Sequence, residues 1–455
     1  MKKTLLLTLA LGLAGATSYA AGTVEVFITG STAFRASCYT ACQALFVGGA
    51  PSTYFGDAAH GGADSGWGSG TASWAMTGTP VSTLTNLSGS TLIVHGLFTG
   101  SIQGIQTVES KTKLVFAKAA GTAGQLTSGY VTNTPTIGFS DSASTACPFR
   151  ADLFNCNEES VAVQPFVIAK STASGMNVIS NATYEQIRSA IVPGRLPLSV
   201  WTGNLNDTNT FIYVPQRTSD SGTRRTETAC VGYTFQDTVG IYIWNETNKV
   251  WYPGTNSTTV ASSGNGTNGI VGPAGLNNVN TTWGAGYVGG GDLRDHALKD
   301  SSANNLSLGC LSFADSRTLG ASQWGTVISF NGMWPTASGI GLRGNTGTND
   351  FSPITSGFYP LWAEEVIVYP TDIDNFGSGD NKITTFQLGS KNDPGSFVWV
   401  FNYQTKNPGN SSTPLLGSIE KTIEDSKTAV NGASAIRLSD MRVSRSDVGG
   451  LIAPF

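Results

Sequence analysis

Short apolar runs, each closed by Gly, Ser or Thr and followed by a helical stretch, recur through the first half of the chain. Val24 to Gly30 (VEVFITG) is one such run and predicts a buried strand. FRASCYTACQALF follows with apolar residues at helical spacing, so a helix comes next. The unit then repeats. TLIVHGLFTG reads as a strand and Gly-rich turn, SIQGIQTVES as a short helix, and TPTIGFSDSAS as a third strand running into a polar turn. This grammar predicts an α/β sheet whose strand ends face a ligand crevice.

Beyond these units, VAVQPFVIAKS is another buried strand. TYEQIRSAIVPGRLPLSVW is a helix stopped by Pro193-Gly194. TFIYVPQRTSDSGTRRTETAC reads as strand, turn and helix start. Between about Gly240 and Gly290 the composition shifts to Asn, Gly, Thr and Ser, with a small hairpin in YIWNETNKVWYPG; residues 240–290 are expected to form a surface insertion. In the tail, FVWVFNYQT predicts a strand, and Gly417 to Val430 and Ala433 to Val448 predict helices.

A chain of 455 residues forms two or three domains or one large two-lobed body. Charged residues make up only 12%, the net charge is −4, and no segment concentrates basic residues, which argues against duplex nucleic acid as a partner. The start gives the compartment. Lys2 and Lys3, the apolar stretch Thr4 to Ala16 and the small residues around Ser18-Tyr19-Ala20 read as a signal peptide over residues 1–20, and hence a periplasmic or secreted product. Cleavage after Ala20 leaves Ala21 first, with no lipid-bearing cysteine, and no later run reaches the roughly 18 apolar residues of a membrane span.

Six cysteines in an exported chain suit disulfides; the favoured pairs are Cys147 with Cys156 and Cys230 with Cys310. Cys38 and Cys42, four apart on a helix, would bridge awkwardly, and buried thiols are the alternative reading. His60, His95 and His296 lack metal-ligand spacing, so no metal or cofactor is expected.

The chemistry gathers in the turns after the strands. Ser31 and Thr32, Thr99 and Ser101, Ser140 and Asp141, and Arg217 with Ser219 to Thr223 supply hydroxyls, amides and one guanidinium. Helix N-termini carry unpaired N–H groups and partial positive charge, so several converging on one point make an anion site. Singly, each turn is also an ordinary N-cap, and Arg217 is also a surface partner for Asp220.

The order of these motifs resembles the periplasmic phosphate-binding proteins of phosphate ABC transporters, a branch of the type II substrate-binding proteins. The resemblance runs from Val24 to Tyr369 through ITGSTAF, FTGSIQG, IGFSDS, VAVQPFVIAK, TYEQIRSAIVPGRLPLSVW, RTSDSGT, GGGDLRDHAL, LGCLSFADSRT and SGFYPLWAEEVIVY. RTSDSGT, Arg217 to Thr223, is its most specific piece, with Ser219-Asp220 where the family often has Asp-Gly. The resemblance implies a two-lobed, clamp-like α/β fold with two crossover strands, to which this chain adds a Gly/Asn-rich insertion. It implies one lobe from residues 21–163 and 362–455 and another from 164–361.

The phosphate-binding residues it implies are Ser31, Thr32, Phe34 through its amide, Ser101, Asp141, Arg217, Ser221, Gly222 and Thr223. Inorganic phosphate or a similar oxyanion would be the ligand, a membrane ABC permease the partner, and the protein a monomer. Asp141 would accept a hydrogen bond from the proton phosphate keeps and repel sulfate, which has none. An enzyme is not expected: no G-x-S-x-G elbow, HExxH helix or P-loop occurs, and GIGLRG at Gly339 to Gly344 follows no clear strand. The competing readings are a secreted matrix protein that keeps the fold without transport, and a phosphoester hydrolase.

Overall fold

A computed structural model of the chain describes residues 22–60, 70–144, 156–234, 239–254, 286–317, 326–337, 350–374, 383–402, 418–426, 435–445 and 452–454. It also describes positions 62, 68, 259–260, 270–271, 405–407 and 410–415. The expected signal peptide, Cys147 and the GIGLRG segment lie outside the described residues.

The chain opens with β1 (Thr23–Gly30), α1 (Arg35–Gln43), β2 (Ser52–Phe55), β3 (Ser73–Gly78), β4 (Thr91–Leu97) and α2 (Ser101–Glu109). A hairpin, β5 (Leu114–Ala117) and β6 (Tyr130–Asn133), precedes β7 (Ile137–Ser140). The 15-residue β8 (Cys156–Lys170) then leads into β9 (Asn181–Ala182), α3 (Tyr184–Ile191), β10 (Arg195–Pro197), α4 (Ser199–Thr202), β11 (Phe211–Tyr213) and α5 (Gly222–Cys230).

Next come the hairpin β12 (Tyr242–Asn245) and β13 (Val250–Pro253), and the short strands β14 (Thr259–Val260), β15 (Ile270–Val271) and β16 (Gly286–Tyr287). After α6 (Gly290–Leu293), β17 (Leu308–Ser312), α7 (Phe313–Arg317), β18 (Val327–Phe330) and α8 (Ser352–Thr355), the strand β19 (Trp362–Pro370) returns. α9 (Thr385–Leu388), α10 (Phe397–Asn402) and α11 (Ser418–Ser426) follow.

The main sheet runs in the order β2-β3-β4-β1-β7-β19-β8-β18-β9, with β17 also on β8. β1 is parallel to β4 and β7, whereas β19 is antiparallel to β7 and β8. Two hydrophobic cores form along it. One gathers Val26, Ile28, Phe34, Trp74, Ile105 and Phe139. The other gathers Phe166, Ile187, Ile212, Leu293, Leu311 and Ile328.

β8 and β19 serve both cores. Val161 and Ala162 pack in the first and Val163 and Phe166 in the second, while Trp362 and Ala363 pack in the second and Ile367 and Tyr369 in the first. The molecule is thus a two-lobed α/β body joined by two crossover strands. A register shift between Glu365 and Val366 marks the place where β19 changes core. Among the described residues no helix is long and apolar enough to cross a membrane.

Five expectations need correction, four of them in the chain's architecture. FVWVFN is the helix α10, because Phe397, Val398 and Phe401 lie on one helical face that packs into the first core. The second tail helix does not form in the described residues, where Val443–Arg445 is a strand on Ile452–Pro454. The tail is also divided between the cores: Ile419 packs in the first and Met441 in the second, with Ile436 and Val163 exchanging two hydrogen bonds of 2.8 Å. The 240–290 insertion contains the expected hairpin, yet Ile243, Trp244 and Tyr287 are buried in the second core, so these parts are not surface.

The expected Cys230–Cys310 disulfide is absent. The Cys230 thiol donates to the Pro360 carbonyl at 3.2 Å, and Cys310 is a buried free thiol on β17. Cys156, the described half of the other pair, is also a free thiol. Cys38 and Cys42 form no disulfide; their thiols are in hydrogen-bond contact with the sulfurs 4.0 Å apart.

Candidate functional site

Neighbouring strands of the first lobe end at one level. β1 and β7 pair with Gly30 opposite Phe139, and the Ser31 N–H donates to the Phe139 carbonyl at 2.9 Å. Gly30 has φ +122°, and a Cβ there would lie 1.9 Å from that oxygen, so only glycine permits the approach. On the other side of β7, Val366 of β19 stands opposite Ser140. One step past these pairs come Ser31, Asp141 and Glu365, all at most 1% exposed.

β4 delivers a further helix start beside them. Gly100 N–H donates to the Gly30 carbonyl at 3.0 Å, and α2 begins at Ser101.

The second lobe contributes the loop after β11. Ser221 caps α5, its hydroxyl accepting from the Arg224 N–H at 3.3 Å, so Gly222 and Thr223 open the helix. Arg217 is held by several bonds. Nε donates to the Tyr287 carbonyl at 3.0 Å, Nη2 to the Val288 carbonyl at 2.6 Å, and Nη1 to Thr223 Oγ1 at 3.5 Å.

The two halves meet. Arg217 Nη2 donates to Thr32 Oγ1 at 3.4 Å, and Ile102 N–H at the start of α2 donates to the Asp220 carbonyl at 3.1 Å. Arg35, beginning α1, forms a 3.1 Å ion pair with Asp315 of α7. Asp141 lies directly against α5, since a Cβ on Gly222 would be 1.4 Å from Asp141 Oδ1 and 2.8 Å from Ser101 Oγ.

Burial pushes the Asp141 carboxyl up to about 6, while the Ser101 hydroxyl, the Arg217 charge and the Ser31 hydroxyl pull the other way. Its Oδ1 has no hydrogen-bond partner among the described residues. Burial also lowers Arg217, against the opposing pull of Asp315, Asp220, Asp292 and Asp141. For Asp315 burial is outweighed by Arg35 and Arg294, and its carboxyl is held below the ordinary range. An anion in this cleft would find one guanidinium, two helix N-termini and one carboxylate acceptor.

Of the residues expected from sequence, Ser101, Asp141 and Gly222 converge, Thr32 and Thr223 both accept from Arg217, and Ser31 lies beside Asp141. Ser221 is engaged as a cap. Phe34 is turned inward: its ring packs on Phe139 and its amide donates to Ser31 Oγ at 3.3 Å. Sequence reading passed over Arg35, Asp315, Glu365 and the carbonyls of Tyr287 and Val288. The Arg35–Asp315 pair spans 280 positions, and no local motif signals it. Among the described residues no cluster of His, Cys, Asp and Glu could hold a metal ion.

No protein-family model and no curated protein matches the sequence. Among solved structures, the chain is similar to a phosphate-binding protein from Stenotrophomonas maltophilia at 11% identity, over 90% of each chain, with a TM-score of 0.38. It is also similar to an ABC-type phosphate transport receptor from Vibrio cholerae at 14% identity, over 77% of this chain and 88% of that one, with a TM-score of 0.32. Likeness at this level leaves function to be argued from this chain's own residues.

Proposed function

We propose that this protein is an exported solute-binding protein that captures phosphate, or a similar protonated oxyanion, between its lobes for an ABC permease. Residues 21–163 with most of 362–455 form one jaw and 164–361 the other. One observation carries the reading: the buried Asp141 carboxyl, with an unpaired oxygen, lies against the first residue of α5 and within the field of Arg217.

Arg217 gives charge-assisted hydrogen bonds, and the N-termini of α2 and α5 give N–H donors to oxyanion oxygens. Phosphate near neutrality keeps at least one proton, and that O–H donates a hydrogen bond to the Asp141 carboxylate. Sulfate has none, so the same carboxylate repels it. Ser31, Thr32, Ser101, Ser221 and Thr223 add hydroxyls around the guest, and Gly222 lets its oxygens approach the helix backbone. The Phe34 amide, which donates to Ser31 Oγ at 3.3 Å, orients that hydroxyl. The cross-lobe contacts from Arg35 to Asp315 and from Ile102 to Asp220 hold the jaws closed.

Isothermal titration with phosphate, arsenate and sulfate tests the reading, with a chromogenic phosphate ester as the check for hydrolysis. Phosphate and arsenate should bind, and sulfate far more weakly. If none of the three binds, the reading is refuted, and turnover of the ester would replace it with an enzyme.

A further inference from the structure

We propose that Glu365 is a second carboxyl of the oxyanion site, a neutral O–H donor standing beside the acceptor Asp141 and setting the alkaline limit of binding. The inference rests on the oxyanion reading above and deepens it.

Placement comes first. β1, β7 and β19 are consecutive in the sheet; Asp141 and Glu365 lie together one step beyond the Ser140–Val366 pair, and Ser31, one step past the Gly30–Phe139 pair, sets its hydroxyl against both carboxyls. Glu365 stands at the register shift where β19 passes from one core to the other. Its neighbour Glu364 is only partly buried and accepts a hydrogen bond from Ser160 Oγ at 2.5 Å. Glu365 is 0% exposed, and the one hydroxyl set against its carboxyl is that of Ser31, with no bond of ordinary hydrogen-bond geometry among the described residues. Burying a carboxyl in this way is unfavourable, so its retention at the crossover calls for a partner.

Charge decides the form it takes. Among the described residues, the groups that act most strongly on Glu365 are Asp141 at the end of β7, Ser31 after β1 and Cys38 on α1, none of them a cation. Burial and then the Asp141 charge push its carboxyl well above the ordinary range, and the Ser31 hydroxyl only softens this. Asp141, by contrast, has Arg217 to help ionise it. The pair therefore divides into one carboxylate and one carboxylic acid, as in other buried pairs whose surroundings push their proton affinities apart.

A protonated oxyanion fits this pair in one orientation. Its own O–H donates to Asp141, and an unprotonated oxygen accepts from Glu365. The second contact adds a donor without adding negative charge. Once alkaline pH strips the proton from Glu365, two carboxylates face the anion and binding fails.

The test uses the full-length protein with Glu365→Gln, which keeps a neutral donor, and Glu365→Leu, which keeps bulk alone. Thermal melting checks that both remain folded. Phosphate is titrated calorimetrically from neutral to alkaline pH in buffers of different ionisation enthalpy, so that protons exchanged on binding are counted. Near neutrality Glu365→Leu should bind about tenfold more weakly, and Glu365→Gln within a few-fold of wild type. Wild type should take up a proton on binding at alkaline pH, and Glu365→Gln should not take up that proton.

Infrared spectroscopy of the ligand-free protein reads the proton directly. A protonated-carboxyl stretch should be present at neutral pH and lose intensity in Glu365→Gln, the remainder coming from Glu227, which burial raises to about 7. If Glu365→Leu binds like wild type with the same proton count, or the infrared band is unchanged by Glu365→Gln, the proposal falls while the oxyanion reading stands. If wild type binds no oxyanion, both fall.

Discussion

Asp141→Asn separates two consequences of burying one carboxyl group. In the folded chain this group is 1% exposed, and burial raises it from 3.8 to about 6. A rise of that size corresponds to roughly 3 kcal/mol between the two protonation states. The sign follows from proton binding. The native state holds the Asp141 proton more tightly than the unfolded chain, so this group stabilises the fold fully below pH 3.8 and loses that contribution as pH rises through about 6. Asparagine does not titrate. Between those limits the ligand-free wild type should therefore lose on the order of 3 kcal/mol relative to Asp141→Asn.

Urea unfolding of both proteins at several pH values across the window measures the difference, in which Glu227, raised by burial to about 7, largely cancels. Stability curves that run parallel would refute the assignment of a buried, strained carboxyl. Binding supplies the second half. Loss of an acceptor for the ligand's proton, a hydrogen bond to a charged group, costs about 1.5–3 kcal/mol, or roughly 10- to 150-fold in phosphate affinity. Sulfate should gain relative to phosphate in the same titration. An unchanged ratio of the two affinities would remove Asp141 from any role in discrimination.

Arg217→Lys keeps the charge but not the fork that reaches Tyr287, Val288, Thr32 and Thr223. With the buried Tyr287 carbonyl left short of a donor at about 1–3 kcal/mol, the part-buried Val288 carbonyl also released and the guanidinium fork lost, calorimetry should show phosphate affinity reduced on the order of 100-fold. Gly222→Ala places a methyl group 1.4 Å from Asp141 Oδ1, so the jaws should fail to close. Small-angle scattering with phosphate present should then report the extended form; a compact profile would count against the closure geometry. Arg35→Ala removes the cross-lobe ion pair with Asp315, and stopped-flow release of phosphate should accelerate roughly tenfold with little change in association.

Local chemistry already determined much of this protein. Strand, turn and helix units follow from the period of apolar residues, and capping residues such as Thr183 with Gln186 and Ser221 mark helix starts, because these signals act within a few residues. The polar turns that supply Ser31, Ser101, Asp141 and Arg217 were legible for the same reason. FVWVFN was not: a run of aromatic and β-branched residues suits strand or helix, and its packing into the first core selected the helix.

Tertiary structure alone decided which turns meet. Arg217 reaches Thr32 across 185 positions and Tyr287 across 70, and the latter closes a segment whose composition reads as surface. It also decided the state of Cys230, whose thiol faces a carbonyl instead of a second sulfur. Glu365 makes the division plain. In sequence it is one of two adjacent acids on a strand; the sheet neighbours and the register shift bury one fully and leave the other only partly buried, and burial is what fixes its proton.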